Sequence, residues 1–372
     1  MSNVELENLI SRYFLLTLTH EDENVLEYLV EVLPGLTLDE AFSKVYDELV
    51  PRGYSVIMFS SKGMNFLRVS KKAIRFKKPL TQFLILFLIT VASVAVTGYF
   101  TIITYNSVAE ELNRRFSAGV PLTEPFIGVL SFLVGVLAPL MCHELGHYVV
   151  SKRAGIPVSY PLPIPAPLIS PVGTFGAFIR SHHPPKDLKR LALVGISGPL
   201  AGVSLSLVLY VVSYLTSPRI SQDIALKALE ANLISELRVV PSITLLVDKL
   251  VGVKEIILLS PVAMASWFLL LIHFANLLPI GQLDGGHVAR SLTSVKTHSI
   301  LSYVVIAVSI FISFIQSSLL WLGIFSVLAW FISGRAPHYG VANLNSRLEL
   351  KDKWFFSFLY ISLLILTLPV VA

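Results

Sequence analysis

Residues 143 to 147 read His-Glu-Leu-Gly-His. On a helix, positions four apart lie one above the other on the same face. His143 and His147 can therefore present two imidazoles to one metal ion. Glu144 stands beside them, a carboxylate placed to take a proton from an attacking water. This is the HExxH pattern of zinc hydrolases. The flanking residues 137–141 and 148–150 are largely apolar. Three ionisable side chains buried among such neighbours without a shared task would each be costly, so the cluster implies a site.

A catalytic zinc takes three protein ligands and keeps one position open. The best candidate for the third is Asp284, in the stretch Asn276-Leu277-Leu278-Pro279-Ile280-Gly281-Gln282-Leu283-Asp284-Gly285-Gly286-His287. Pro279 and Gly281 break an apolar run just before it, and Gly285 and Gly286 permit close backbone approach. Read alone, these glycines would equally suit a surface loop. With His-Glu-Leu-Gly-His upstream, the ligand reading leads. Cys142 falls off the His143–His147 face and reads as structural. His273, one turn before Asn276, could face the site but reads first as a satisfied helix histidine, His287 as structural or supporting, and His182 and His183 as ordinary members of a basic loop.

Something must hold these groups at membrane depth. The chain of 372 residues is 54% hydrophobic and 14% charged, against about 25% charged for soluble domains. A span needs about 20 apolar residues. Residues 80–104, 126–150, 188–215, 256–278, 300–315, 319–332 and 355–371 are apolar segments, about seven spans. The expected fold is a polytopic α-helical membrane protein with a small N-terminal α+β soluble domain. Domain boundaries fall at 1–75 for the soluble domain, 80–335 for the membrane core, and 336–372 for a cytoplasmic loop plus a further C-terminal span. In the N-terminal domain, residues 13–19, 25–32, 54–60 and 65–70 read as strands. Thr37 and Glu40 have the spacing of a capping box for a helix to about Val50.

Lys71, Lys72, Arg75, Lys77 and Lys78 precede the first span. Lysine and arginine in loops favour the cytoplasmic side, which puts the N-terminal domain in the cytoplasm and the C-terminus outside. The net charge of +5 is scattered at span ends, which speaks against a nucleic-acid partner. A single cysteine excludes an intrachain disulfide. With no leader evident, a prokaryotic cell membrane is the expected location. Six prolines between 157 and 171 preclude a helix there. Residues 156–180 read as a re-entrant, β-like hairpin or loop, or alternatively as a rigid surface loop. Residues 173–179 could offer a strand edge to a peptide.

His143–His147 together with Leu283-Asp284-Gly285 resemble the paired motifs of the site-2 protease family of intramembrane metalloproteases. The order fits, with the second motif two spans after the first. Asn276 and Pro279 match the family's Asn-x-x-Pro, and Gly198-Pro199-Leu200-Ala201-Gly202 is similar to its glycine-proline segment. The match covers about residues 80–335. The N-terminal module looks most like the branch that includes plant chloroplast enzymes, and the PDZ insertion of the bacterial sigma-factor-regulating branch is not recognisable. The resemblance implies one Zn²⁺ per chain on His143, His147 and Asp284, with Glu144 as the base. It implies cleavage of single-span membrane proteins in or near their membrane segments. It also nominates Asn276 for substrate or oxyanion contact, whereas its position beside Pro279 would equally suit a helix-end cap. Rival readings are a chamber-type membrane zinc protease with a glutamate ligand, a non-catalytic descendant, and a transporter. The late spans hold no glutamate, both motifs are intact, and no repeat symmetry is present.

Overall fold

The computed structural model describes residues 2–70, 80–252, 255–333 and 338–371. The basic cluster at 71–78 and Arg335 lie outside the described residues.

The N-terminal domain opens with α1 (Asn3–Ile10), a helix the sequence reading lacks. It is short but closed by a complete Ser2–Glu5 capping box. β1 (Phe14–Glu21) and β2 (Val25–Val32) follow, then α2 (Leu38–Leu49), whose expected Thr37–Glu40 box is present. β3 (Ser55–Ser61) and β4 (Met64–Ser70) form a hairpin. Its turn residues Lys62 and Gly63 both have positive φ, the geometry that matches strand twist. The sheet order is β1-β2-β4-β3. One face is sealed by Phe42, Val45, Tyr46 and Leu49 of α2 over Leu26, Tyr28, Val56 and Leu67.

The rest of the chain is dominated by long helices. α3 (Leu80–Phe116) and α4 (Pro125–Arg153) are antiparallel. At 37 residues, α3 is about 55 Å long, well beyond the roughly 30 Å apolar thickness of a bilayer. The hairpin β5 (Leu162–Pro165) and β6 (Thr174–Phe178) packs on both helices. It is a two-stranded antiparallel ribbon within residues 156–180. α5 (Leu188–Thr216) is the hub of the bundle, touching α4 and three later helices.

The segment after α5 folds as β7 (Arg219–Ile220), α6 (Gln222–Glu230), β8 (Val239–Pro241), α7 (Ser242–Val251) and β9 (Ile256–Ile257). α8 (Pro261–Asn276) is shorter than the expected run 256–278, because Ser260 caps it and Pro261 opens it. α9 (Asp284–Leu292) resumes after the predicted break. α10 (Val295–Ile315) and α11 (Leu320–Ser333) form a tight helical hairpin, and α12 (Leu350–Thr367) leads to β10 (Pro369–Val371). β10 pairs with β8, which fixes the C-terminal strand on the face opposite the N-terminal domain. We call that face distal.

Among the described residues, α3, α4, α5 and α10 are long and apolar enough to cross a membrane. α8 and residues 317–333 are shorter apolar helices, and α12 carries Lys351, Asp352 and Lys353 in its first turn. The chain is a multi-pass helical membrane protein with a small strand-containing N-terminal domain.

Candidate metal centre

α4 and α5 approach closely because glycine faces glycine. A Cβ on Gly146 would lie 2.5 Å from the Ser197 carbonyl oxygen, and one on Gly198 would lie 2.1 Å from Nε2 of His147. A Cβ on Gly202 would meet His143 Cβ at 2.8 Å and His273 Cε1 at 2.7 Å. The Gly-Pro segment of α5 is thus the wall against which both histidines of α4 are seated.

The third group arrives from the helix break. Gly285 lets the start of α9 back onto the end of α8, where a Cβ would sit 1.8 Å from the Leu277 carbonyl oxygen. Tyr360 of α12 donates to that same carbonyl at 2.7 Å. The fold so brings Asp284 Oδ2 to 3.1 Å from His143 Nε2 and 3.2 Å from His147 Nε2, and the two nitrogens lie 3.1 Å apart. A tetrahedral zinc with bonds of about 2.0–2.1 Å separates neighbouring ligand atoms by about 3.3 Å. The triangle therefore fits one ion, and two imidazoles with a carboxylate are the donors such an ion takes.

The orientation of each donor is enforced. His147 Nδ1 lies 2.8 Å from the Val194 carbonyl. A carbonyl only accepts, so Nδ1 carries the hydrogen and Nε2 turns its lone pair to the cluster. Asn276 donates from its side-chain amide to Asp284 Oδ2, the same oxygen that faces the two imidazoles. Glu144 is buried, 4% exposed, on the helix that carries both histidines. His143, His147 and Asp284 form the one His/Cys/Asp/Glu group of this kind among the described residues.

Several side chains sit elsewhere than expected. His273 is not a satisfied helix histidine. Its ring stacks on His143 at 5.1 Å and 15°, and its buried Nε2 has no hydrogen-bond partner. The signal available was its spacing, one turn before Asn276 on the same helix face. His183 is not an ordinary loop residue either. It is buried, accepts from the Val56 amide at 3.2 Å and donates to the Pro184 carbonyl, 2.9 Å away. Burial pushes its pKa down. With Lys186, which binds Asp47 at 2.8 Å, it ties the N-terminal domain to the loop after β6. The segment at 342–344 adds to the outer edge of β3 through Met58. His287 pairs with His338, 2.9 Å away. Cys142 is free and half-buried.

Comparison with known proteins agrees with this geometry. The chain is 33% identical over 156 residues to a protein of Arabidopsis thaliana named probable zinc metalloprotease EGY2, chloroplastic, covering 42% of this chain and 27% of the relative. It is 26% identical over 250 residues to probable zinc metalloprotease EGY1, chloroplastic, of the same plant, covering 61% and 43%. The rice EGY1 protein (Oryza sativa subsp. japonica) is 31% identical over 221 residues, 55% of this chain and 36% of the relative. The chain thus spans less than half the length of these curated relatives. No solved structure matches it. The model of peptidase family M50 matches residues 131–320, which contain the His143–His147 helix, the glycine wall of α5 and the Asp284 turn; the chain belongs to peptidase family M50.

Proposed function

We propose that this protein is an intramembrane zinc endopeptidase that cleaves single-span membrane proteins in or beside their membrane segments. The observation that carries the reading is the convergence of His143, His147 and Asp284, with Glu144 adjacent, inside a bundle of membrane-length helices. The relatives' names as probable zinc metalloproteases support it. When bound, zinc supplies Lewis acidity, polarising a carbonyl and making water acidic enough to attack near neutral pH. Glu144 takes the proton of the attacking water and returns it to the leaving amine. Asn276 acts as a positioning residue, holding the carboxylate of Asp284, and the Val194 carbonyl does the same for His147.

A helical substrate must be opened before it is cut. Among the described residues, β6 pairs with β5 on one side only. A Cβ on Gly176 of β6 would lie 4.0 Å from the side chain of Leu140, one turn before His143. An extended substrate segment hydrogen-bonding to the other edge of β6 would pass the metal centre, with Phe175 and Phe178 available for its side chains. In this reading the hairpin dips into the bilayer, and α3, α4, α5, α8, α10, α11 and α12 make seven crossings. The protein would reside in a prokaryotic cell membrane with its N-terminal domain in the cytoplasm.

The test pairs zinc content with cleavage of single-span substrates by the purified full chain in detergent. Wild type should bind one zinc and cut. Glu144→Gln should keep zinc and lose cleavage by at least about 10²-fold. A wild type without zinc would end the reading.

A further inference from the structure

A second feature lies away from the metal centre. On the distal side, α3, α5 and α8 diverge around a cavity of about 1520 Å³. Thr97, Phe100 and Tyr105 of α3 form one wall, Trp267 and Phe268 of α8 another, and α6 and α7 contribute its distal side. Its inner end reaches Phe132 and Ala265, and it also touches Ser170 and Pro171 at the tip of the β5–β6 hairpin.

That inner end is aligned with the site. Phe132 and His143 are eleven residues apart on α4, about 16 Å at the helical rise, and Ala265 and His273 are separated by about 12 Å on α8. An extended strand covers such a distance in about four to five residues, the length of β6, whose Thr174 end adjoins the hairpin tip. The cavity lining is mostly apolar, but its charged residues share one sign. Glu236, Asp248 and Glu255 line it, with no lysine or arginine among the described residues. Asp248 is held in place by the Tyr214 hydroxyl at 2.5 Å.

We propose that this cavity is the distal subsite of the peptidase, receiving the part of the substrate segment beyond the strand on β6, and that it selects for a basic residue there. The inference rests on the proteolytic reading above. A helix about 10 Å across, rising 1.5 Å per residue, fills about 120 Å³ per residue, so the cavity holds on the order of a dozen residues. An apolar segment ending in a cation suits such a lining. An acidic end would bring like charges together at a partly desolvated surface.

The experiment uses the full chain and three single-span substrates identical except for two residues at the distal end of the apolar segment: Lys-Lys, Ala-Ala or Glu-Glu. The expected order of kcat/KM is Lys-Lys, then Ala-Ala, then Glu-Glu, spread over about tenfold. Combined Glu236→Gln, Asp248→Asn and Glu255→Gln should shrink the spread to below twofold. Should the combined variant not fold, Glu236→Gln and Glu255→Gln alone should each narrow the spread. Equal cleavage of all three substrates, or a lysine preference that survives the substitutions, overturns the proposal. Should wild type cut none of them, the proteolytic reading fails first. Binding then decides the subsite separately. A photoreactive residue at the distal end of the Lys-Lys substrate should crosslink to peptides of α6 or α8 in Glu144→Gln protein, and crosslinks elsewhere overturn the inference.

Discussion

Gly198→Ala puts a methyl group where the structure has none to spare. Its Cβ would lie 2.1, 2.4 and 2.6 Å from three atoms of the His147 ring, about 0.8 to 1.3 Å inside the 3.4 Å at which ordinary contact begins. The ring cannot retreat along its own plane, because Nδ1 is tied to the Val194 carbonyl at 2.8 Å. Moving α5 away instead would open its close contact with Gly146 at the Ser197 carbonyl. Zinc bonds hold to within about 0.2 Å, so a displacement of about 1 Å removes His147 from the ligand set. Losing mere support of a ligand weakens binding about 10–100-fold. Losing the ligand should cost at least the upper figure, about 2.7 kcal/mol. Overpacking of the α4–α5 contact adds about 1–3 kcal/mol of destabilisation. The assay is chelator competition for zinc in detergent, alongside thermal unfolding. Gly135→Ala serves as control, because its Cβ meets a single methyl of Val262 at the looser distance of 3.2 Å. If Gly198→Ala holds zinc within threefold of wild type at an unchanged unfolding midpoint, the glycine wall does not seat His147 and the packing argument fails.

Other outcomes follow from the same contacts. Asn276→Ala removes the donor on Asp284 and should weaken zinc binding about 10–100-fold, read by the same competition, with Asn276→Gln no better because its longer chain misplaces the amide. Lys186→Ala strips Asp47 and Ser43 of their shared partner and should loosen the N-terminal domain by about 1–2 kcal/mol, since Asp47 is half exposed; hydrogen exchange of the α2 amides measures it. His183 must be neutral at Nε2 to accept from Val56, and its pKa is depressed below 6.5 by burial. The undocked state then binds the proton more readily, so docking is at full strength above about pH 6.5 and fades as the pH falls through the buried value. Protection of the Val56 amide, corrected for intrinsic exchange, should drop between about pH 7 and 5 and stay flat in His183→Gln.

Much of the site is written locally. His143, Glu144 and His147 lie within five residues, so the helical repeat alone sets two imidazoles on one face, and apolar neighbours make the burial legible. The break before Asp284 is equally local, since Pro279 and Gly281 two residues apart disfavour a continuing helix. The N-terminal strands and the Thr37–Glu40 cap follow from alternation and spacing. α1 escaped because eight residues carry little periodicity, and α12 was set five residues late because its first turn is charged.

Which faces meet is a different matter. Nothing in the sequence around His273 states that its ring lies on His143, 130 positions away. That contact exists because Gly202 leaves room for both rings. The role of Asn276 was open between a substrate or oxyanion contact and a helix-end cap, and tertiary packing sets its amide on Asp284. His183 and residues 342–344 looked like loop, yet they dock the N-terminal domain. The distal cavity has no local signature at all, because it is the space left where three helices diverge. Side-chain periodicity determines, by itself, which face of a segment turns inward and which groups share it. Only the fold decides which inward faces touch, because that depends on close approaches between glycines and backbone far apart in the chain.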